Sequence, residues 1–547
     1  MAISQATSGR PTQGQNLYLD TLTGPGKWVN ADGGTGPVEI TYHFSEDTGA
    51  GVKDVGTWSD MGRQAYQQAF SIFSSFANVS FREQADGSAN FQLFLGQDDP
   101  EADGWSEMPG EHGDIILNQV DDSDWTDGSM LPGGYSFMVV MHELGHALGL
   151  DHPFDGQKGE GFPGISDANP TGKYGQNQTM FTIMSYEDGW DKLPAHEDED
   201  WGWQATPMAF DIAALQSMYG ANMEYHTGDD AYALPLSNTL TTHWSCIWDA
   251  GGNDTLSAAG SNRGAMLDLR AAPLTGAHAG GYVSWVKGIM GGFTIAHGAV
   301  IENAVGGNGA DVINGNGAAN RLTGNGGNDD LHGYGGNDVL NGGAGADHMA
   351  GGYGDDTYYV NSAKDEIEEE KNAGRDTVVS SISFRLAENF ENLTLSGNAA
   401  TNGTGNRLAN VITGNGAANG LRGDNGNDWL YGKLGADTLT GGKGADRFVF
   451  DTAAAAGNAD RITDFTAGQD KILLAHDALG LASPVGALLV SEFLAGTAAA
   501  GAEQHVVYDR AAGSLWLDAD GSGDGVAVLL ATLSNKIALG AGDFLVI

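Results

Sequence analysis

The chain has 547 residues and a single cysteine, so neither a disulfide framework nor a cysteine-rich zinc cluster can hold it together. Asp and Glu number 71 against 25 Lys and Arg, a formal charge of −46, which repels phosphate backbones and argues against nucleic acid as a partner. Hydrophobic residues at 41% suffice for packed cores, and 85 glycines, about twice the usual ~7%, must answer a repeated backbone demand.

Residues 1–55 carry little periodic signal. Met61, Ala65, Ala69, Phe70, Ile72, Phe73 and Phe76 recur at helical spacing and predict a helix over Trp58–Ala77. Apolar or alternating runs at Val79–Arg82, Phe91–Leu95 and Asp114–Asn118 predict strands. Tyr135–Leu148 reads as an apolar helix stopped by Gly149. Thr206 as cap, with Pro207 in the first turn, predicts another helix through Ile212, Leu215 and Met218 to Gly220. Cys246, between Trp244 and Trp248, reads as a small buried side chain. Residues 1–225 therefore form one α/β domain, with a β-rich connector at 226–305. No apolar run approaches the ~20 residues that span a membrane.

From Gly306 the chain falls into nine-residue units that restart at Gly315, Gly324, Gly333, Gly342 and Gly351. The sixth position reads Asp311, Asn320, Asp329, Asp338, Asp347 and Asp356, and the eighth is Ile313, Leu322, Leu331, Leu340 or Met349. A second array, from Gly405, places Asn410, Asn419, Asp428, Asp437 and Asp446 at the sixth position. Glycine permits the tight turns, the apolar residue points inward on a short strand, and the carboxylate offers oxygen to a hard cation. That is the pattern of a parallel β-roll that binds calcium. The expected rolls are 306–360 and 405–450, with a β connector at 361–404 whose EIEEEK run reads as a solvated face, and a β domain at 451–547. Asp329, Asp338, Asp347, Asp356, Asp428, Asp437, Asp446 and Asp311 are the expected calcium ligands, with Asp254 of the fragment Asp249–Asp254 as an earlier site. Sites at the asparagine positions should be weak or empty.

The apolar helix ends His142-Glu143-Leu-Gly-His146-Ala-Leu-Gly149-Leu-Asp-His152. His142 and His146, four apart, project from one face and can share an ion, and Glu143 is placed to act as general base on a water. Gly149 lets the chain turn back so that His152 becomes a third ligand, and three nitrogens leave an open position typical of catalytic zinc. About thirty residues on comes Thr182-Ile-Met184-Ser-Tyr186.

With these motifs, with PMAFDIAALQSMYG, WDAGGNDT and VIENAVGG, the chain resembles the serralysins, the RTX metzincin zinc proteases. The resemblance covers nearly the whole chain. It implies a multidomain fold, an N-terminal α/β metzincin catalytic domain followed by all-β, calcium-binding RTX β-roll domains. It also implies one catalytic Zn2+ on His142, His146 and His152, several structural Ca2+, Tyr186 as a displaceable ligand that stabilises the tetrahedral intermediate, and Met184 in the turn beneath the metal. The segments around Asp460–Phe465, Gly513–Asp518 and Asp543–Ile547 resemble the uncleaved signal of type I secreted proteins, matching the polar Met1–Gln15. The expected partners are protein or peptide substrates, the type I secretion apparatus and a protein inhibitor, for an extracellular monomer. An extended substrate is expected to pair with an edge strand at Asp114–Asn118, and the acidic insert Glu187–Trp203 to influence specificity. The competing reading is a calcium-binding adhesive protein with a non-catalytic protease-like domain.

Overall fold

The computed structural model describes residues 2–6, 16–46, 56–96, 104–109, 113–118, 128–155, 161–190, 201–481 and 483–547. They fall into two compact units, Met1–Asn314 and Gly315–Ile547.

The first unit opens with β1 (Ala2–Ala6), antiparallel to β2 (Gly26–Asn30), and a short α1 (Leu17–Leu22) between them. None of these was legible as a period. The Asn16 side chain starts α1 by accepting from the Tyr18 and Leu19 amides. The central sheet holds β3 (Val38–Phe44), β4 (Val79–Glu83), β5 (Phe91–Gly96), β6 (Gly104–Ser106) and β7 (Ile115–Asn118), in the order β4-β3-β5-β7-β6. All neighbours are parallel except β6, which runs antiparallel to β7. The strand expected at an edge is therefore interior. Among the described residues β6 is the edge strand on the β7 side, with β4 at the opposite edge, because β6 covers the hydrogen-bonding side that β7 turns away from β5.

Helix α2 (Asp60–Phe76) buries Ala65, Ala69, Phe70, Phe73 and Phe76 of the stripe read from sequence, adds Tyr66, and leaves Met61 and Ile72 only partly covered. Helix α3 (Tyr135–Ala147) is buried from Ser136 to Ala147, and its last turn is closed by the Trp28 indole, which donates to the Ala147 carbonyl at 2.8 Å. Helix α4 (Ala209–Tyr219) begins later than expected. Asp211 reaches back to accept from the Met208 amide at 2.9 Å and so sets the start. The Thr206 hydroxyl, the expected cap, accepts instead from the amide of Cys246, which is buried as expected.

Beyond α4 the unit continues in short strands. Ala231–Ala233, Thr255–Ser257 and Asn303–Val305 pair in parallel, and Trp244–Ile247, Gly292–Ile295, Ser284–Val286, Ala265–Asp268 and Val312–Asn314 form a second sheet.

The second unit is a β-solenoid whose strands fall in three sheets. One sheet stacks Arg321–Thr323, Val339–Asn341, Thr357–Val360, Thr377–Ser380, Asn392–Leu395, Val411–Thr413, Trp429–Tyr431, Arg447–Phe450, Lys471–Leu474 and Phe544–Val546 in parallel. Two further sheets hold the parallel runs from Asp330–Gly335 to Glu366–Glu368 and from Phe384–Arg385 to Asp460–Ile462. Leu322, Leu331, Leu340, Met349, Ile412, Leu430 and Leu439 are fully buried between them. The stretch 361–404 thus contributes rungs of its own. Its acidic run is not wholly solvated: Glu369 turns in to accept from the Tyr358 hydroxyl, and burial pushes its carboxyl up to about 8.

Candidate functional site

Helix α3 presents His142 and His146 one turn apart, and both are buried. Gly149 then adopts φ +100°, where a Cβ would press on the Gly26 carbonyl. The returning chain is pinned to the segment after α1, because the Gly24 amide donates to Gly149 O at 2.8 Å and the Asp151 amide to Leu22 O at 2.9 Å. His152 is thereby delivered to the other two, and one ligating atom from each of the three histidines lies within 4.8 Å of the others.

Each Nδ1 is committed. His142 Nδ1 donates to Ile183 O at 2.7 Å, His146 Nδ1 to Leu150 O at 2.8 Å and His152 Nδ1 to Asp155 Oδ2 at 2.6 Å. Carbonyls and a carboxylate only accept, so the protons sit on Nδ1 and the Nε2 atoms face inward as lone pairs. Yet His146 Nε2 and His152 Nε2 stand 3.0 Å apart with no proton to share. Burial, then the neighbouring His152, pushes His142 down to about 4, and burial with the neighbouring His142 and His152 holds His146 well below the usual histidine range. Three converging imidazole nitrogens suit a borderline divalent metal such as zinc.

Glu143 is buried beside them, and Gly104 of β6 lies against its side chain: a Cβ there would be 2.9 Å from Glu143 Cγ. Tyr186 is 57% exposed, with its ring 4.8 Å from His152 and 5.8 Å from His142. Burial, Glu143 and Asp155 raise its hydroxyl pKa. Met184 is fully buried under α3, where a Cβ on Gly145 would meet its sulfur at 2.9 Å. Sequence reading did not single out Asp155, Phe154 or Asp211. Phe154 stacks on His152 at 4.8 Å. Asp211 accepts from the Thr182 hydroxyl at 2.5 Å and the Ile183 amide at 2.8 Å, and so holds the turn whose carbonyl orients His142. An acid inside the apolar helix 209–219 was the available signal. Of the acidic insert, 191–200 lie outside the described residues.

The repeat aspartates form a ladder. In the second unit, Asp338 Oδ1 accepts from the Asn320 amide, Asp356 Oδ1 from Asp338, Asp428 Oδ1 from Asn410 and Asp446 Oδ1 from Asp428, each two repeats back at 2.7–3.0 Å. The second oxygens of Asp338, Asp347, Asp356, Asp428, Asp437 and Asp446 are buried without a hydrogen-bond partner. The first glycine of a unit is needed there. A Cβ on Gly333 would collide with Asp338 Oδ2 and Gly351 O, and one on Gly423 with Asp428 Oδ2 and Gly441 O. Burial pushes Asp338 and Asp428 up to about 7 and Asp437 and Asp446 to about 6. Orphaned anionic oxygens crowded by carbonyls fit a hard cation.

Asparagine rungs are different. Asn410 Nδ2 donates to Phe390 O at 3.0 Å and Glu391 O at 3.3 Å, and Asn419 Nδ2 to Thr401 O at 2.7 Å, so the amide fills the place a cation would take. In the first unit, Asp254 is fully buried with Oδ2 unpartnered. Asp311 differs, because its two oxygens accept from the Ala265 and Gly307 amides. The ladder also uses Asp365, Asp376, Asp460 and Asp470, which accept from Asp347, Asp356, Asp437 and Asp446. Asp365 carries the nine-residue register one step past Asp356, whereas Asp376, Asp460 and Asp470 stand outside it and are marked only by an Asp two places before an apolar residue.

Comparison with known proteins agrees with this architecture. Residues 210–546 match the family described as Peptidase M10 serralysin C terminal, and residues 28–158 match Matrixin. Serralysin of Proteus mirabilis is 30% identical over 339 residues, 56% of this chain and 65% of that protein. Metallopeptidase AprA of Pseudomonas marginalis is 31% identical over 345 residues, 57% and 67% of the two chains. Serralysin B of Dickeya chrysanthemi is 34% identical over 298 residues, 52% and 55%. The matched stretch thus spans about two thirds or less of these relatives' length. The family match alone takes in more than half the chain, and on it the chain belongs to the serralysin family of metallopeptidases.

Proposed function

We propose that the chain is a calcium-stabilised zinc endopeptidase acting on proteins outside the cell, with 1–225 as its catalytic domain. The observation that carries this reading is the commitment of all three Nδ1 protons, which leaves three Nε2 lone pairs around one point. His142, His146 and His152 would hold the zinc, with Tyr186 as a displaceable fourth ligand and Met184 in the supporting turn. Zinc bound there supplies Lewis acidity, polarising a carbonyl and lowering the pKa of a water towards ~7. An extended peptide aligns along the outer side of β6 by main-chain hydrogen bonds. Glu143 takes the proton of the attacking water and returns it to the leaving amine. The Tyr186 hydroxyl, kept protonated by its raised pKa, donates to the oxyanion that develops on the scissile carbonyl. Asp254, Asp329, Asp338, Asp347, Asp356, Asp428, Asp437 and Asp446 would bind calcium, and Asp311 is the weakest of the proposed ligands. The chain leaves the cell through a type I apparatus and folds where calcium is plentiful. No helix among the described residues is long and apolar enough to cross a membrane.

The test is hydrolysis of casein in calcium, with and without phenanthroline. Cleavage should stop with the chelator, and Glu143→Gln should keep its zinc while losing nearly all activity. An active Glu143→Gln enzyme overturns the base assignment. Absence of cleavage by folded, zinc-loaded chain favours the adhesive reading.

A further inference from the structure

Asp330–Gly335, His348–Tyr353 and Glu366–Glu368 are neighbouring parallel rungs in the second unit. Leu331 and Met349 point into the core and are fully buried, so the alternation of a strand turns Asp330, His332 and His348 to the outer face, where each is partly exposed. Register places His348 beside Asp330, and Ala350 between His332 and Glu368. Alanine is the one member of this group whose side chain cannot ligate, and it adds only a methyl to the surface.

The polar atoms converge. His348 Nδ1 lies 2.7 Å and His332 Nε2 3.1 Å from the same Asp330 Oδ1, and the two rings are 5.7 Å apart. One ligating atom from each of the three residues lies within 4.8 Å of the others. The other nitrogen of His348 faces Glu368 Oε1 at 3.7 Å. Two imidazoles and a carboxylate, with a second carboxylate behind one imidazole, form the ligand-plus-outer-partner arrangement that orients histidine towards a metal. Nitrogen donors disfavour calcium and favour a divalent transition ion.

We propose that Asp330, His332 and His348, with Glu368 orienting His348, form a binding site for a divalent transition-metal ion of the zinc class. The site is made of none of the residues around His142 and none of the repeat positions with orphaned Oδ2 atoms. The ion takes the place of the protons that the imidazoles direct at Asp330 Oδ1, each of which moves to the ring's other nitrogen or leaves to solvent, and clips two rungs of a solenoid that has no disulfide available.

The test measures zinc per chain by elemental analysis on the full-length, calcium-saturated protein after equilibration with zinc chloride. Wild type should retain two equivalents, and His332→Ala/His348→Ala one, with casein hydrolysis unchanged. His142→Ala/His146→Ala should also retain one, so failure of the protease reading is told apart from failure of this one. His332→Gln and His348→Gln keep a hydrogen-bonding side chain and guard against misfolding: each should lose the same equivalent. Equal zinc in wild type and in the His332 and His348 variants overturns the proposal, as does a wild type with a single equivalent that vanishes in His142→Ala/His146→Ala.

Discussion

Gly104 shows how a single hydrogen atom in place of a side chain serves the candidate site. Its Cα faces the Glu143 side chain so closely that a methyl would stand 2.9 Å from Cγ and 3.1 Å from Oε1. Gly104→Ala must push Glu143 aside or bow β6 outward, and misplacement of about 1 Å can cost ~100-fold in rate. We expect a fall in kcat on casein of at least about tenfold with zinc content unchanged. Full activity in Gly104→Ala would show that Glu143 tolerates the shift. The spacing of His142, Glu143 and His146 was legible because a helix repeats every 3.6 residues. Gly104 was not, because nothing in the chain near it announces that a helix some forty residues on will face it.

At the scale of the element, the turn at 182–184 depends on α4. The Asp211 carboxyl, pushed up to about 7 by burial, takes hydrogen bonds from Thr182, Ile183 and Met208. Its unfolded value is ~3.9. Because the folded value is the higher, its contribution to stability is full at low pH and is lost as pH rises through about 7. Asp211→Asn removes this titration, so its stability relative to wild type should improve between pH ~4 and about 7, read by denaturant unfolding in calcium. A difference that stays flat with pH would refute the buried neutral acid. Asp211→Ala leaves the Ile183 and Met208 amides without their acceptor, at ~1–3 kcal/mol each, and should weaken zinc retention through the carbonyl that orients His142. The asparagine rungs make a second case. Asn410→Asp sets an anionic oxygen against the Phe390 and Glu391 carbonyls, so the variant should be less stable than wild type in EGTA and regain that loss in calcium. Equal stability in EGTA would mean the amide contacts contribute nothing.

For the molecule as a whole, a charge of −46 meets a ladder of buried carboxyls raised by burial, to about 7 at Asp338 and Asp428 and about 8 at Asp460. Raised acids favour the folded state while protonated, so the calcium-free ladder keeps its stability at low pH and loses it as pH climbs through about 6 to 8. In EGTA the β signal in circular dichroism should therefore persist at pH 5 and collapse at pH 8, and calcium should restore it at pH 8. Retention of the β signal at pH 8 in EGTA would remove the need for a cation.

Local chemistry determined a great deal before any fold was known. The nine-residue period, the buried eighth position, the His142–His146 pair and the stop at Gly149 each follow from neighbours in the chain and from fixed backbone repeats. Tertiary structure decided which strand lies outermost, because β6 is three residues long and pairs only through β7. It decided that Asp211 holds the turn before Met184, that Glu369 faces Tyr358 rather than solvent, and that Asp376, Asp460 and Asp470 continue the ladder out of register. It also brought His332 and His348 onto one oxygen. In each of these, the contact exists only once packing has chosen which other stretch of backbone lies alongside.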